Sequence, residues 1–193
     1  MTQKLTHGHG FNVEGAFVAC IKKKHTKCYG AWIGILRKSY SERFKLRSPT
    51  YRDCTMDSKW HNYQVFAKWY HENQKESFEL DKDILIKRNK IYSPETCCFV
   101  PKEINLLFVK RNSKRGPHPI GVSFHKKRQI FYVIMSKNNK NVGLGTFNTA
   151  EEAFLAYKHG KEKHIKEVAE KWKDKIDKKA YLALINYKVE ITD

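Results

Sequence analysis

Hydrophobic positions recur at helical spacing in the first third of the chain and at strand spacing later. Within residues 29–40, Trp32, Ile35, Leu36 and Tyr40 fall on one side of a helix, with Arg37 and Lys38 on another. A second helix is predicted from Asp57-Ser58-Lys59-Trp60 onward, because Tyr63, Phe66, Ala67 and Tyr70 keep the period. Such an aromatic stripe is core before it is a surface for stacking bases. The pattern then changes. Residues 77–85 read as a strand ending in charge, residues 89–97 as a turn with a second strand, and residues 100–105 as the start of a helix with Pro101 near its first position. Further on, 120–124 and 130–135 are short β-rich runs joined by the basic hairpin loop 125–129. Residues 136–141 make an Asn-rich turn, and 142–147 supply a third strand. Thr149 and Glu152 have capping-box spacing, and Ala153, Ala156 and Tyr157 follow at helical spacing to face the sheet.

The fold class expected is α+β. A helical N-terminal part leads into a strand-turn-strand-helix unit, then a three-stranded antiparallel sheet packed on a helix, with C-terminal helices after it. The first two dozen residues, with Gly8, Gly10 and Gly15 and then Lys22-Lys23-Lys24, read as a loosely ordered entry arm or a short strand. Residues 110–119 contain Lys110, Arg111, Lys114 and Arg115 with Gly116, Pro117 and Pro119, and read as a basic linker. The domain boundaries expected are therefore 1–109, the linker 110–119, and 120–193.

Charge narrows the partners. The chain of 193 residues has a formal net charge of +18, and its 40% hydrophobic content with 13% aromatics suffices for packed cores rather than disorder. From Ile104 to Ala150 there is no Asp or Glu, while Lys110, Arg111, Lys114, Arg115, Lys126, Lys127, Arg128, Lys137 and Lys140 all lie there. A run so one-sided is repulsive by itself and makes sense where a polyanion screens it. No apolar run approaches a membrane span and the N-terminus lacks a signal-peptide core, so a cytoplasmic protein without a membrane partner is expected. The five cysteines, Cys20, Cys28, Cys54, Cys97 and Cys98, lack paired Cys-x-x-Cys spacing, and reduced thiols without zinc are expected.

Candidate chemistry lies in the middle section. A strand-turn-strand-helix unit can bring Asp81 and Asn105 together while Asn89 braces the turn. Two converging oxygen ligands suit a hard divalent cation that keeps waters and takes a phosphate oxygen.

Two resemblances sharpen these readings. Gly121-Val122, Phe131, Ile134 and the stretch Leu144-Gly145-Thr146-Phe147-Asn148-Thr149-Ala150-Glu151-Glu152-Ala153, followed by Ala156-Tyr157, resemble the APETALA-type (ethylene-response-factor) DNA-binding domain. That likeness implies a sheet laid in the DNA major groove, with Ser123, His125, Lys127, Arg128, Tyr132 and Lys137 on its open face meeting bases or phosphates. The plant family's Arg and Trp readers are largely replaced here by Lys, His and Phe. Separately, Asn89, Ser93-Pro94-Glu95-Thr96-Cys97, Val100-Pro101 and Asn105, with Trp32, Trp60 and Trp69 upstream, are similar to the ββα-metal core of phage-type HNH homing endonucleases. This likeness implies that Asp81 and Asn105 hold Mg or Mn and that Asn89 orients the catalytic group. The family's general-base His is replaced by Lys82. A lysine is normally protonated and does not take a proton from water, so Asp83 serves as base or Lys82 clamps the scissile phosphate, with His61 a further candidate to enter the site.

Two classes of function follow. One is a metal-dependent endonuclease of the phage homing type that nicks or cuts duplex DNA. The other is the same scaffold without chemistry, a DNA-binding repressor or a phage factor that meets a host protein. Both bind duplex DNA, and both are expected as monomers in the host cytoplasm. Single-stranded RNA is a lesser partner, through stacking on Phe131 and Tyr132.

Overall fold

Thr26 starts the first long helix. Its hydroxyl accepts the Tyr29 N–H at 3.2 Å, and from there α1 (Lys27–Tyr40) buries Cys28, Trp32, Ile35, Leu36 and Ser39 along one side. A computed structural model describes residues 5–109, 117–138 and 140–193, and the chain divides into two units, residues 1–100 and 101–193. The architecture is mixed α+β.

The first unit opens with a hairpin of β1 (Cys20–Ile21) and β2 (Lys24–His25), followed by α1 and the short α2 (Glu42–Arg47). Next come β3 (Thr55–Met56), α3 (Tyr63–Asn73), β4 (Phe78–Asp81), β5 (Ile91–Tyr92) and β6 (Cys98–Pro101). Strand β3 pairs in parallel with β5, and β4 lies beside β6. The core gathers Trp32, Leu36, Trp60, Tyr63 and Phe66, all with no exposed surface. The aromatic stripe read from the sequence is thus interior. Trp32 can be buried because its indole N–H donates to the Trp60 carbonyl at 2.7 Å. Gly10 lies where a Cβ would collide with Leu36, which lets the N-terminal segment approach this core.

Two expectations change here. The second helix does not start at Asp57: residues Ser58–His61 form a separate 3-10 turn. Asn62, extended at φ −80°, then caps α3 by accepting the Gln64 N–H at 2.9 Å, and so breaks what the spacing reads as continuous. The strand expected over 77–85 stops at Asp81, whose carboxylate turns the chain by accepting the N–H groups of Asp83 and Ile84. Of the two alternatives for the first two dozen residues, the short strand holds: from residue 5 the chain is bridged at Thr6 to Gly10 and at Phe11 to Asn62, then forms the β1–β2 hairpin.

The second unit begins with α4 (Lys102–Leu106) and holds β7 (Val122–His125), β8 (Ile130–Lys137), β9 (Lys140–Phe147), α5 (Ala150–Trp172) and α6 (Lys178–Ile185). The three strands form an antiparallel sheet in the order β7-β8-β9, and α5 starts with the capping box of Thr149 and Glu152. Val122, Val133 and Met135 pack with Ala153 and Tyr157 of α5 and with Val189. Gly121, at φ +79°, admits the Tyr157 ring where any side chain would collide. Glu103 of α4 accepts hydrogen bonds from Lys171 Nζ and Trp172 Nε1 at the end of α5, which draws its carboxyl below the usual range.

Four thiols, Cys28, Cys54, Cys97 and Cys98, are buried, and burial pushes Cys28 up to about 11 and Cys97 to about 12. Burial raises Cys54 as well, so Cys28, Cys54 and Cys97 are held as thiols at neutral pH. Among the described residues, no helix is long and apolar enough to cross a membrane.

Candidate nucleic-acid interface and the Asp81–Asn89 turn

Strand periodicity decides what the sheet presents. Val122, Phe131, Val133, Met135 and Phe147 belong to the cluster under α5, so the alternate positions Ser123, His125, Tyr132, Ile134 and Thr146 point to the other face. Ser123, Tyr132 and Thr146 stand side by side across the strands in register. These side chains carry hydroxyls, with Ile134 exposed beside them at 49%. The open face was expected to be basic. Among the described strand residues it carries no Lys or Arg; the cations lie at the strand ends instead.

Lys126, Lys127 and Arg128 are exposed on the turn between β7 and β8. That turn is held by its backbone. The His125 carbonyl accepts the N–H groups of Arg128 and Gln129 at 3.1 and 2.9 Å, and Gln129 Nε2 donates to the Lys126 carbonyl at 2.6 Å. Lys137 departs from its expected place. It is in phase with Val133 and Met135, hence on the α5 side, where Nζ bonds Glu167 at 2.6 Å. Lys140, its directly paired neighbour on β9, shares that side and is exposed. Lys110, Arg111, Lys114 and Arg115 lie outside the described residues.

The turn after β4 brings Asp81, Lys82, Asp83 and Asn89 together. Asp81 Oδ1 accepts from Asp83 N at 2.7 Å and Ile84 N at 2.9 Å. Burial raises its carboxyl pKa, as does the neighbouring Asp83 charge, while the two backbone bonds oppose them. Lys82 is only 7% exposed; its ammonium donates to Asp83 Oδ1 at 2.6 Å and to the Asn89 carbonyl at 2.8 Å. Asn89 returns the bond, with Nδ2 donating to the Lys82 carbonyl at 2.8 Å and to Ile91 O at 2.6 Å, while its Oδ1 accepts the Ile91 N–H. The turn between β4 and β5, residues 82–90, is thereby closed on itself through Lys82 and Asn89. Asn105 lies on α4 in the second unit, and its carbonyl accepts the Phe108 N–H at 3.2 Å.

The donor set in this turn fits a divalent cation poorly. Asp81 Oδ1 serves its own backbone, Asp83 Oδ1 serves an ammonium, and that buried positive charge would repel a second cation. His61 is placed elsewhere. Its Nε2 is 2.7 Å from the Tyr40 hydroxyl, and His9 stacks on Tyr40 with ring centroids 3.8 Å apart. Burial, then the facing His9, lowers the His61 pKa, with Asp57 opposing. A histidine depressed in the folded state is protonated first in the unfolded chain, so its contribution is full above about pH 6.5 and is lost as pH falls through the lower folded value. Melting temperature is therefore expected to drop from pH 7 to pH 5, by less in His61→Gln.

What sequence reasoning missed was parity and turn closure. Counting by twos from Val133 puts Lys137 on the helix side, a signal present in the sequence. The Lys82–Asn89 clasp had none, since a lysine seven residues before an asparagine carries no spacing rule.

Compared with family models, curated proteins and solved structures, the chain has no match.

Proposed function

We propose that the chain is a sequence-reading duplex-DNA-binding protein of the repressor type, without phosphodiester chemistry of its own. The observation that carries this reading is the second unit's sheet: backed by α5 on one side, it offers Ser123, Tyr132 and Thr146 on the other and a backbone-held cationic turn, Lys126 to Arg128, at its edge. Hydroxyls donate and accept toward base edges, and exposed lysine and arginine release counterions from phosphates. A narrow antiparallel ribbon fits the major groove. The inert half of the reading rests on Lys82, a buried and doubly bonded ammonium at the position where the endonuclease likeness requires a base.

A second reading, a metal-dependent endonuclease, is favoured by one feature, the Asn89 amide on the Lys82 carbonyl, since the likeness implies that this asparagine orients the catalytic group at that position.

The test is a titration of the full chain with a labelled duplex over a salt series, with single-stranded RNA as competitor, and an incubation with supercoiled plasmid in Mg or Mn. Expected are duplex binding that weakens about 10³-fold between 50 and 200 mM salt, poor competition by RNA, and intact plasmid. Binding indifferent to salt, or preferring RNA, removes the DNA reading. Nicked plasmid returns the second reading.

A further inference from the structure

A second acid-free stretch lies in the first unit. Between Glu14 and Glu42 there is no Asp or Glu, and Lys22, Lys23, Lys24, Lys27, Arg37 and Lys38 fall within it. Three of these cations are concentrated on the β1–β2 hairpin, where Cys20 pairs with His25 and Ile21 with Lys24, leaving Lys22-Lys23 as a two-residue turn. Both turn residues have positive φ, 48° at Lys22 and 63° at Lys23. A two-residue turn of this hand favours Asn-Gly, because a side chain at positive φ crowds its own backbone. Two lysines there are a poor choice for folding alone. Backbone kept in a disfavoured region is characteristic of functional positions, provided the surroundings hold it there.

The surroundings do hold it. The Ala19 carbonyl accepts the Thr26 N–H at 2.9 Å, and the Val18 carbonyl accepts the Tyr63 hydroxyl at 3.2 Å. Gln64 clamps Phe17 through both its N–H and its carbonyl, each at 3.0 Å. The hairpin is thus tied to α1 and α3, while residues 20–25 are all exposed at its tip.

We propose that the β1–β2 hairpin is a second contact to the phosphate backbone of duplex DNA, made by the first unit through Lys22, Lys23 and Lys24. The inference rests on the DNA-binding reading and adds to it a phosphate contact outside the sheet-bearing unit. Its chemistry is point charge on phosphate: ammonium groups steer and anchor, and carry no base preference.

The test uses Lys22→Asn/Lys23→Gly in the full chain, which removes two charges while supplying the residues that the turn prefers, so that a folding defect does not mimic lost binding. A second variant, Lys22→Gln/Lys23→Gln, removes the charges and keeps the backbone preference. Expected for the first is a melting temperature equal to or above that of the parent. Both variants should bind duplex about tenfold more weakly or worse near 0.15 M salt, with the slope of log affinity against log salt shallower by about 1.8, equally on all sequences. Unchanged affinity and slope in both, while changes in the β7–β8 turn weaken binding, overturn the hairpin contact and leave the DNA reading standing. A parent chain without salt-dependent duplex binding overturns both. Loss confined to single-stranded RNA overturns duplex DNA as the hairpin's partner.

Discussion

Replacing Lys126, Lys127 and Arg128 together by alanine is expected to weaken duplex binding on the order of 10²-fold near 0.15 M salt and to reduce the salt slope by about 2.7, as three lost phosphate contacts require. Folding should be nearly untouched. The three side chains are exposed, and the turn is closed by the His125 carbonyl and the Gln129 amide, neither of which involves them. Lys137→Ala is the internal control. Its ammonium bonds Glu167 on the α5 side, so its loss should leave the slope unchanged and alter stability by no more than about 1 kcal/mol, as for partly exposed ion pairs. Binding assays across salt, paired with thermal melts, separate the two variants. A flat response to the triple substitution would take the turn out of the interface, and an effect of Lys137→Ala equal to it would mean that net charge alone is being read.

Lys82→Ala should have the opposite profile, with a large effect on stability and little on DNA affinity. The substitution leaves the Asn89 carbonyl without the ammonium and opens one side of the clasp that closes residues 82–89. An unsatisfied, partly buried carbonyl costs about 1–3 kcal/mol, while the ion pair adds little because the Asp83 side chain is 49% exposed. For a unit of this size the melting temperature falls on the order of 10 °C. Duplex affinity should stay within about twofold by the same free-energy scale, since a buried ammonium releases few counterions. Lys82→His tests the chemistry. A histidine is shorter and forfeits the reach to Asn89, so a less stable protein, still inert toward plasmid in Mg or Mn, is expected. Nicking by Lys82→His would show that the turn holds a base where the endonuclease likeness needs one, and would reinstate the second reading.

Much of the second unit was legible because its signals are local. The capping box at Thr149 and Glu152, the alternation through Ile130 to Met135, and the hairpin loop each lie within a few residues of what they determine. The aromatic stripe from Tyr63 to Tyr70 was likewise legible as interior, since its period matches one side of a helix. The likenesses to a DNA-binding domain and an endonuclease core suggested roles for residues, and they placed cations on an open face that the strands' own parity assigns otherwise.

Composition and periodicity by themselves determined an α+β chain with a strongly cationic surface. They did so because charge is additive and amphipathic periods need no partner to be read. Only the tertiary structure decided that Lys82 faces inward to Asp83 and Asn89, that Lys137 pairs with Glu167, and that Lys22 and Lys23 turn a hairpin at positive φ. Each depends on which backbone groups and charges come together from separate segments. A flexible lysine has a long reach and no period, so its destination is set by the partners that the fold brings within that reach.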